Sequence, residues 1–215
     1  MNEIGSWVIS LTVGPIETNC YILLPRTGRD ATIIDPGFEG ERITGILRNR
    51  DMKLERILLT HGHIDHLFAL NDVLMYMRSS EAGVLIHHED ETLIDDLVEQ
   101  ADFLGVEVPP LPPDAFSTFK DGEILHCSGH SLTVLHTPGH SPGSCSFLFE
   151  DAQLLFSGDT LFCNGVGRTD LWGGSDNELS RSIEEKILSL GDHIMILPGH
   201  GPPTTVREAR DYWAS

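Results

Sequence analysis

Thr60-His61-Gly62-His63-Ile64-Asp65-His66 sets the tightest limit on how this chain can fold. Imidazoles this close repel one another when several protonate, unless a cation holds them neutral. The flanks place the stretch. Leu54-Glu55-Arg56-Ile57-Leu58-Leu59 before it reads as a buried strand, and Leu67 to Met75 after it has helical spacing. The donors therefore sit on a strand-to-helix loop. Alternation at a strand end points His61 and His63 the same way, while Asp65 and His66 turn into the helix start and face a second point. One loop thus offers ligands to two metal positions.

Three later segments repeat the design of apolar strand, tight turn and donor. Thr137-Pro138-Gly139-His140 follows the strand-like Leu132-Thr133-Val134-Leu135. Asp159 follows Leu154-Leu155-Phe156-Ser157-Gly158, and His200 follows Ile194-Met195-Ile196-Leu197-Pro198-Gly199. Rigid strands carrying donors outward to one edge are what an enzyme site needs. The donor set is His61, His63, His66, His140 and His200 with Asp65 and Asp159. Two ions can share it, one carboxylate and one water or hydroxide bridging them. His87, His88, His126, His130, His136 and His193 lack partners at ligand spacing and read as surface or structural residues.

The His-x-His-x-Asp-His loop, with His140, Asp159 and His200 behind it, resembles the metallo-β-lactamase superfamily over about residues 7 to 206. Ile33-Ile34-Asp35-Pro36-Gly37, Gly158-Asp159-Thr160-Leu161-Phe162 and Gly165-Val166-Gly167-Arg168-Thr169-Asp170 look like its glyoxalase II (hydroxyacylglutathione hydrolase) branch, in particular the short single-domain members. The resemblance implies that His61, His63 and His140 hold a first metal, that Asp65, His66 and His200 hold a second, and that Asp159 bridges them. It makes Asp65 and Asp159 the catalytic carboxylates, Asp35 a structural residue beneath the metals, and Arg168 a basic residue near the thiol part of the substrate. Zinc is the first expectation for both ions, with iron and manganese also compatible.

The implied reaction is thioester hydrolysis by a metal-bridging hydroxide, on S-lactoylglutathione or a related acyl-thiol. A thiol with a pKa near ~8.5 leaves with little acid help, so no Ser or Cys nucleophile is required. Other readings are a mononuclear iron persulfide dioxygenase, which the Gly165 to Asp170 segment also resembles, and further off a lactonase or a non-enzymatic metal-binding scaffold. Oxygen-reducing members carry Glu where this chain has His63, which favours hydrolysis. Full-length glyoxalase II proteins end in a helical domain that grips glutathione. After His200 this chain runs only from Gly201 to Ser215, so that domain is expected to be missing and residues 1–215 to form a single metallo-β-lactamase-like domain.

Charge narrows the partners. The chain has 33 acidic against 14 basic residues, a net charge of −19. Phosphate binding draws its affinity from Lys and Arg, so neither nucleic acid nor an anionic membrane is expected. Cys20, Cys127, Cys145 and Cys163 show no Cys-x-x-Cys spacing and no disulfide framework. Cys163 reads as a buried small residue near the site. Met1 to Trp7 lacks a signal-peptide pattern, no apolar run reaches ~20 residues, and a cytoplasmic location is expected.

The element pattern supports a fold class. Strands are expected near 7–13, 20–24, 31–34, 57–59 and 84–86, with helices near 41–50, after His66 and near 90–104. Val108-Pro109-Pro110-Leu111-Pro112-Pro113 reads as a stiff connector. The second half is richer in strands, near 123–127, 132–136, 144–149, 153–156 and 193–197, with helices near 177–190 and 206–213. Strands first and helices after, twice over, predict an α/β protein of two mixed sheets with outer helices, a four-layer αββα sandwich.

Overall fold

The computed structural model describes residues 1–76, 83–108, 111 and 116–214. Pro109, Pro110, Pro112 and Pro113 of the expected connector lie outside them.

The first half builds one sheet. Strands β1 (Asn2–Ile4), β2 (Val8–Val13), β3 (Thr18–Leu23) and β4 (Asp30–Ile34) pair antiparallel. Helix α1 (Gly40–Asn49) leads to β5 (Lys53–Leu58). Helices α2 (Ile64–Leu67) and α3 (Leu70–Leu74) precede β6 (Val84–His87), and α4 (Glu91–Asp95) and α5 (Leu97–Leu104) precede β7 (Phe116–Phe119). From β4 to β7 the pairing is parallel. The second half builds the other sheet from β8 (Ile124–Cys127), β9 (His130–His136), β10 (Cys145–Phe149) and β11 (Leu154–Gly158). A small hairpin, β12 (Leu161–Phe162) and β13 (Gly165–Val166), follows. Helix α6 (Asp176–Ser182) then leads to β14 (Met195–Pro198), β15 (Thr204–Thr205) and α7 (Val206–Trp213). In this sheet β14 lies parallel to β11 and antiparallel to β15.

Alternation along each strand sorts side chains into three cores. Ile9, Cys20, Ile22, Ile33 and Ile57 pack outward under α1 to α5, while Val8, Tyr21, Leu23, Ile34 and Leu58 point the other way. The second sheet meets them with Phe147, Phe149, Phe156 and Leu197, and sends Leu148, Leu155 and Ile196 out beneath α6 and α7. Both faces of the central strands are buried, which is why they read as continuous apolar runs. The expected four-layer αββα sandwich is the observed architecture.

Several elements differ from the sequence reading. The helix expected after His66 is two short pieces, because the Ala69 amide donates to Pro36 O at 3.1 Å instead of extending α2. The 90–104 helix breaks at Asp96, and the Leu93 carbonyl there accepts from Gln100 Nε2 at 2.9 Å. Strands β1 and β7 and the two-residue strands β12, β13 and β15 were not expected; they are short or half exposed and lack an apolar run.

The topology determines where loops converge. Parallel pairing puts the C-terminal ends of β4, β5 and β6 on one edge, and the β11–β14 pair does the same in the second sheet. The sheets are joined there by Cys145 N to Thr60 O at 2.8 Å and Asn19 N to Gly199 O at 2.7 Å. Among the described residues no helix is long and apolar enough to cross a membrane.

Candidate metal centre

The seven sequence-selected donors meet on this shared edge. His61, His63, Asp65 and His66 follow β5, His140 follows β9, Asp159 follows β11 and His200 follows β14. Three overlapping groups have ligand atoms within 4.8 Å of one another: His61, His63 and His140; His61, His66 and Asp159; and Asp65, His66 and His200. Asp159 lies between the sets, with Oδ2 3.6 Å from His140 Nε2 and 3.5 Å from His200 Nε2, and Oδ1 3.4 Å from His66 Nε2. Asp65 Oδ2 is 3.3 Å from both His66 Nε2 and His200 Nε2.

Hydrogen bonds on the far side of each ring decide which nitrogen faces the centre. Thr60 Oγ1 donates to Asp35 Oδ2 at 2.7 Å and so accepts from His61 Nδ1 at 3.0 Å. His66 Nδ1 donates to Asp35 Oδ2 at 3.0 Å, His140 Nδ1 to the Arg168 carbonyl at 2.7 Å, and His200 Nδ1 to the Ile16 carbonyl at 3.1 Å. Four rings therefore turn Nε2 inward, an arrangement that aligns imidazole ligands. His63 Nδ1 faces His140 Nε2 at 2.8 Å, so a proton or a cation must lie between them. His61 Nε2, His63 Nε2, His66 Nε2 and Asp159 Oδ1 are buried without a hydrogen-bond partner. Buried polar atoms without partners are costly, and this donor set fits divalent cations.

The electrostatics divide the cluster. Burial, reinforced by the neighbouring imidazoles, drives His61 well below the ordinary histidine value. Burial and His140 likewise take His63 down to about 3, so both rings are neutral, as ligands must be. Burial also pulls on His66, but Asp65, Asp159 and Asp35 outweigh it and raise that ring well above its ordinary value. His200 is raised in the same way, its bond to Asp65 overcoming burial. Burial raises Asp65 and Asp159, yet His66 and the other imidazoles prevail and hold both below the usual carboxylate range.

Buried hydrogen bonds from neighbouring loops hold the donors. Asp35 takes the Thr60 amide at 2.8 Å as well as its hydroxyl. Thr18 Oγ1 donates to Asp65 Oδ2 at 2.9 Å. Asp90 is fully buried just beyond β6 and joins two ligand loops: Oδ2 accepts Gly62 N at 2.9 Å and Ser141 Oγ at 2.7 Å, and Oδ1 accepts Gly143 N at 2.6 Å. Burial raises its pKa despite these bonds. Gln100 Oε1 accepts Ile64 N at 2.9 Å. Only an Asp in a helix-start context signalled Asp90; its partners lie far off in sequence.

Two expectations need correction. His87 and His136 do have close partners: their rings stack at 4.1 Å, and His136 Nε2 donates to the Pro142 carbonyl at 2.8 Å and lies 3.4 Å from Glu89. Distance along the chain concealed that pairing. Cys163, in the turn between β12 and β13, is half-buried rather than buried.

A cavity of about 350 Å³ opens over the cluster. His63, Asp65, His140, Asp159 and His200 form its floor, and Phe103, Leu104, Phe162, Val166, Leu171 and Trp172 its walls. Arg168 borders it, gripped by Asp170 through two bonds of 2.9 Å.

The sequence pattern of the metallo-beta-lactamase superfamily matches residues 13–200. The chain is 40% identical to the probable metallo-hydrolase YqgX of Bacillus subtilis over 94% of this chain and 93% of that protein. It is 35% identical to the hydroxyacylglutathione hydrolase GloC of Haemophilus influenzae over 93% of each. Among solved structures, the B3 metallo-beta-lactamase BLEG-1 superposes with a TM-score of 0.85 at 34% identity, over 95% of this chain and 96% of that one. TTHA1623 in a di-iron-bound form superposes at 0.82, also at 34% identity, over 94% and 96%.

Proposed function

Because the chain belongs to the metallo-beta-lactamase superfamily as a metallo-hydrolase, we propose that residues 1–215 form one domain that hydrolyses thioesters at a centre for two divalent cations. The observation that carries this reading is the set of buried, partnerless atoms on His61, His63, His66 and Asp159. Burial of such groups is tolerated where a cation supplies the missing partner. In this reading His61, His63 and His140 hold one cation, Asp65, His66 and His200 hold the other, and Asp159 touches both. Zinc suits a set rich in neutral imidazole, and iron and manganese remain arms of the test, given the di-iron form of TTHA1623. Cations held there would lower the pKa of a bound water and polarise a carbonyl oxygen.

The chain's own groups do the rest. Asp65 is held ionised and faces the cavity, so its carboxylate accepts a hydrogen bond from the attacking water and aims it. Asp35 and the Arg168 carbonyl fix the His66 and His140 rings from behind. The Arg168 side chain borders the thiol portion of the substrate. The departing thiolate needs no acid, since a thiol ionises near ~8.5. The thioester reading draws support from GloC, a relative named for hydroxyacylglutathione. Free Cys20, Cys127 and Cys145 are buried, which suits a reducing, cytoplasmic setting.

The test is a panel of thioesters, lactones, β-lactams and phosphodiesters assayed with metal-loaded protein. Thioester turnover well above the other classes supports the reading. Good turnover of lactones, β-lactams or phosphodiesters with none of thioesters rejects its substrate half and leaves the metal half standing.

A further inference from the structure

Apart from the seven donors, the cavity over the centre has little left to offer a charged ligand. Gln100 is spent internally, accepting Ile64 N and donating to Leu93 O. Arg168 is the one Lys or Arg among the described lining residues, and its guanidinium is engaged twice. Asp170 holds it through two 2.9 Å bonds, and it lies over the Phe103 ring at 6.0 Å. The remaining walls are aromatic or aliphatic. Trp172 stands edge-on to His63 at 5.8 Å and to Phe103 at 6.2 Å, and Phe162 stands edge-on to His200 at 6.1 Å. An apolar surface thus flanks both ligand sets. A glutathione thioester carries two carboxylates, and the whole chain, at −19, repels them.

Resting on the thioester reading above, we infer that this site selects an uncharged, apolar acyl-thiol over a glutathione thioester. Trp172, Phe103 and Phe162 form the acyl pocket, and Asp170 withholds Arg168 from carboxylates. Chain length is sensed by burial: each methylene entering the pocket strengthens binding about three- to fourfold, until about 350 Å³ is filled.

The experiment pairs turnover with binding on the metal-loaded protein. Acetyl, butyryl and hexanoyl thioesters of N-acetylcysteamine and of glutathione are compared by kcat/KM, and the matching inert S-alkyl thioethers by calorimetry. The inference expects kcat/KM and affinity to rise with chain length in both series. It expects the N-acetylcysteamine series to lead at each length, Trp172→Ala to flatten the length dependence, and Asp170→Asn to improve the glutathione series selectively, several-fold, through KM. A tenfold preference for glutathione thioesters, or no response to chain length, overturns it. Absence of all thioester turnover overturns the hydrolase reading alone if the thioethers still bind with the expected length dependence, and both readings if they do not.

Discussion

At the scale of single residues, the centre depends on groups with no metal to hold as much as on its ligands. Asp90→Ala leaves the Gly62 amide, the Ser141 hydroxyl and the Gly143 amide without their acceptor. Denaturant unfolding should show a loss of about 3 kcal/mol, and metal analysis a loss centred on the His61, His63 and His140 set, whose loops Asp90 joins. Unchanged stability and metal content would remove Asp90 from that role. Asp159→Ala removes the group between both sets, so metal affinity should fall about tenfold to a hundredfold, with activity following. His87 makes a separate prediction. Burial, with His136 and His88 beside it, lowers this imidazole to about 4, so the unfolded chain takes up a proton that the folded chain refuses. Its contribution to stability is full above about pH 6.5 and is lost as pH falls toward 4. The urea midpoint of His87→Asn should fall less steeply over that window than that of the parent protein; equal slopes would contradict the assignment. The ligands were legible because all of them lie in short motifs that follow one of four strands. Asp90, Thr18 and Trp172 were not, because what gives them meaning is a partner from another sheet or loop.

At the scale of elements, tight backbone contacts set the ligand loops. Gly139 has φ +134°, and a Cβ there would lie 2.2 Å from the Leu179 amide nitrogen of α6. Gly139→Ala should cost at least about 3 kcal/mol and shift His140 with its loop; a wild-type urea midpoint and full metal loading would contradict this packing. Gly199, just past β14, leaves room for the centre itself, since a Cβ would fall on Asp159 Oδ1 and 2.8 Å from His66 Cε1. Such close approaches were hidden in the sequence, where Pro-Gly-His reads only as a turn. Strands β2 to β6, β9 to β11 and β14 were legible from their apolar runs. The breaks between α2 and α3 and between α4 and α5 were not, because the helical bonds are diverted to the Pro36 carbonyl and the Gln100 side chain.

At the scale of the whole molecule, parallel pairing in each sheet brings the donor-bearing loops to one edge of an αββα sandwich. The strands-then-helices pattern carried the layer order, while the pairing that unites the loops had no local signal. The chain's net charge of −19 predicts that kcat/KM for an anionic glutathione thioester rises with added salt, as screening weakens repulsion, while that for a neutral thioester stays level. Parallel rate-against-salt curves for the two would contradict it. The central claim is that seven donors form one centre for two cations, and elemental analysis of protein produced with ample zinc, iron and manganese tests it most directly. The account predicts about two divalent ions per chain. A firm value of one iron per chain, with oxygen consumed on glutathione persulfide, would contradict it.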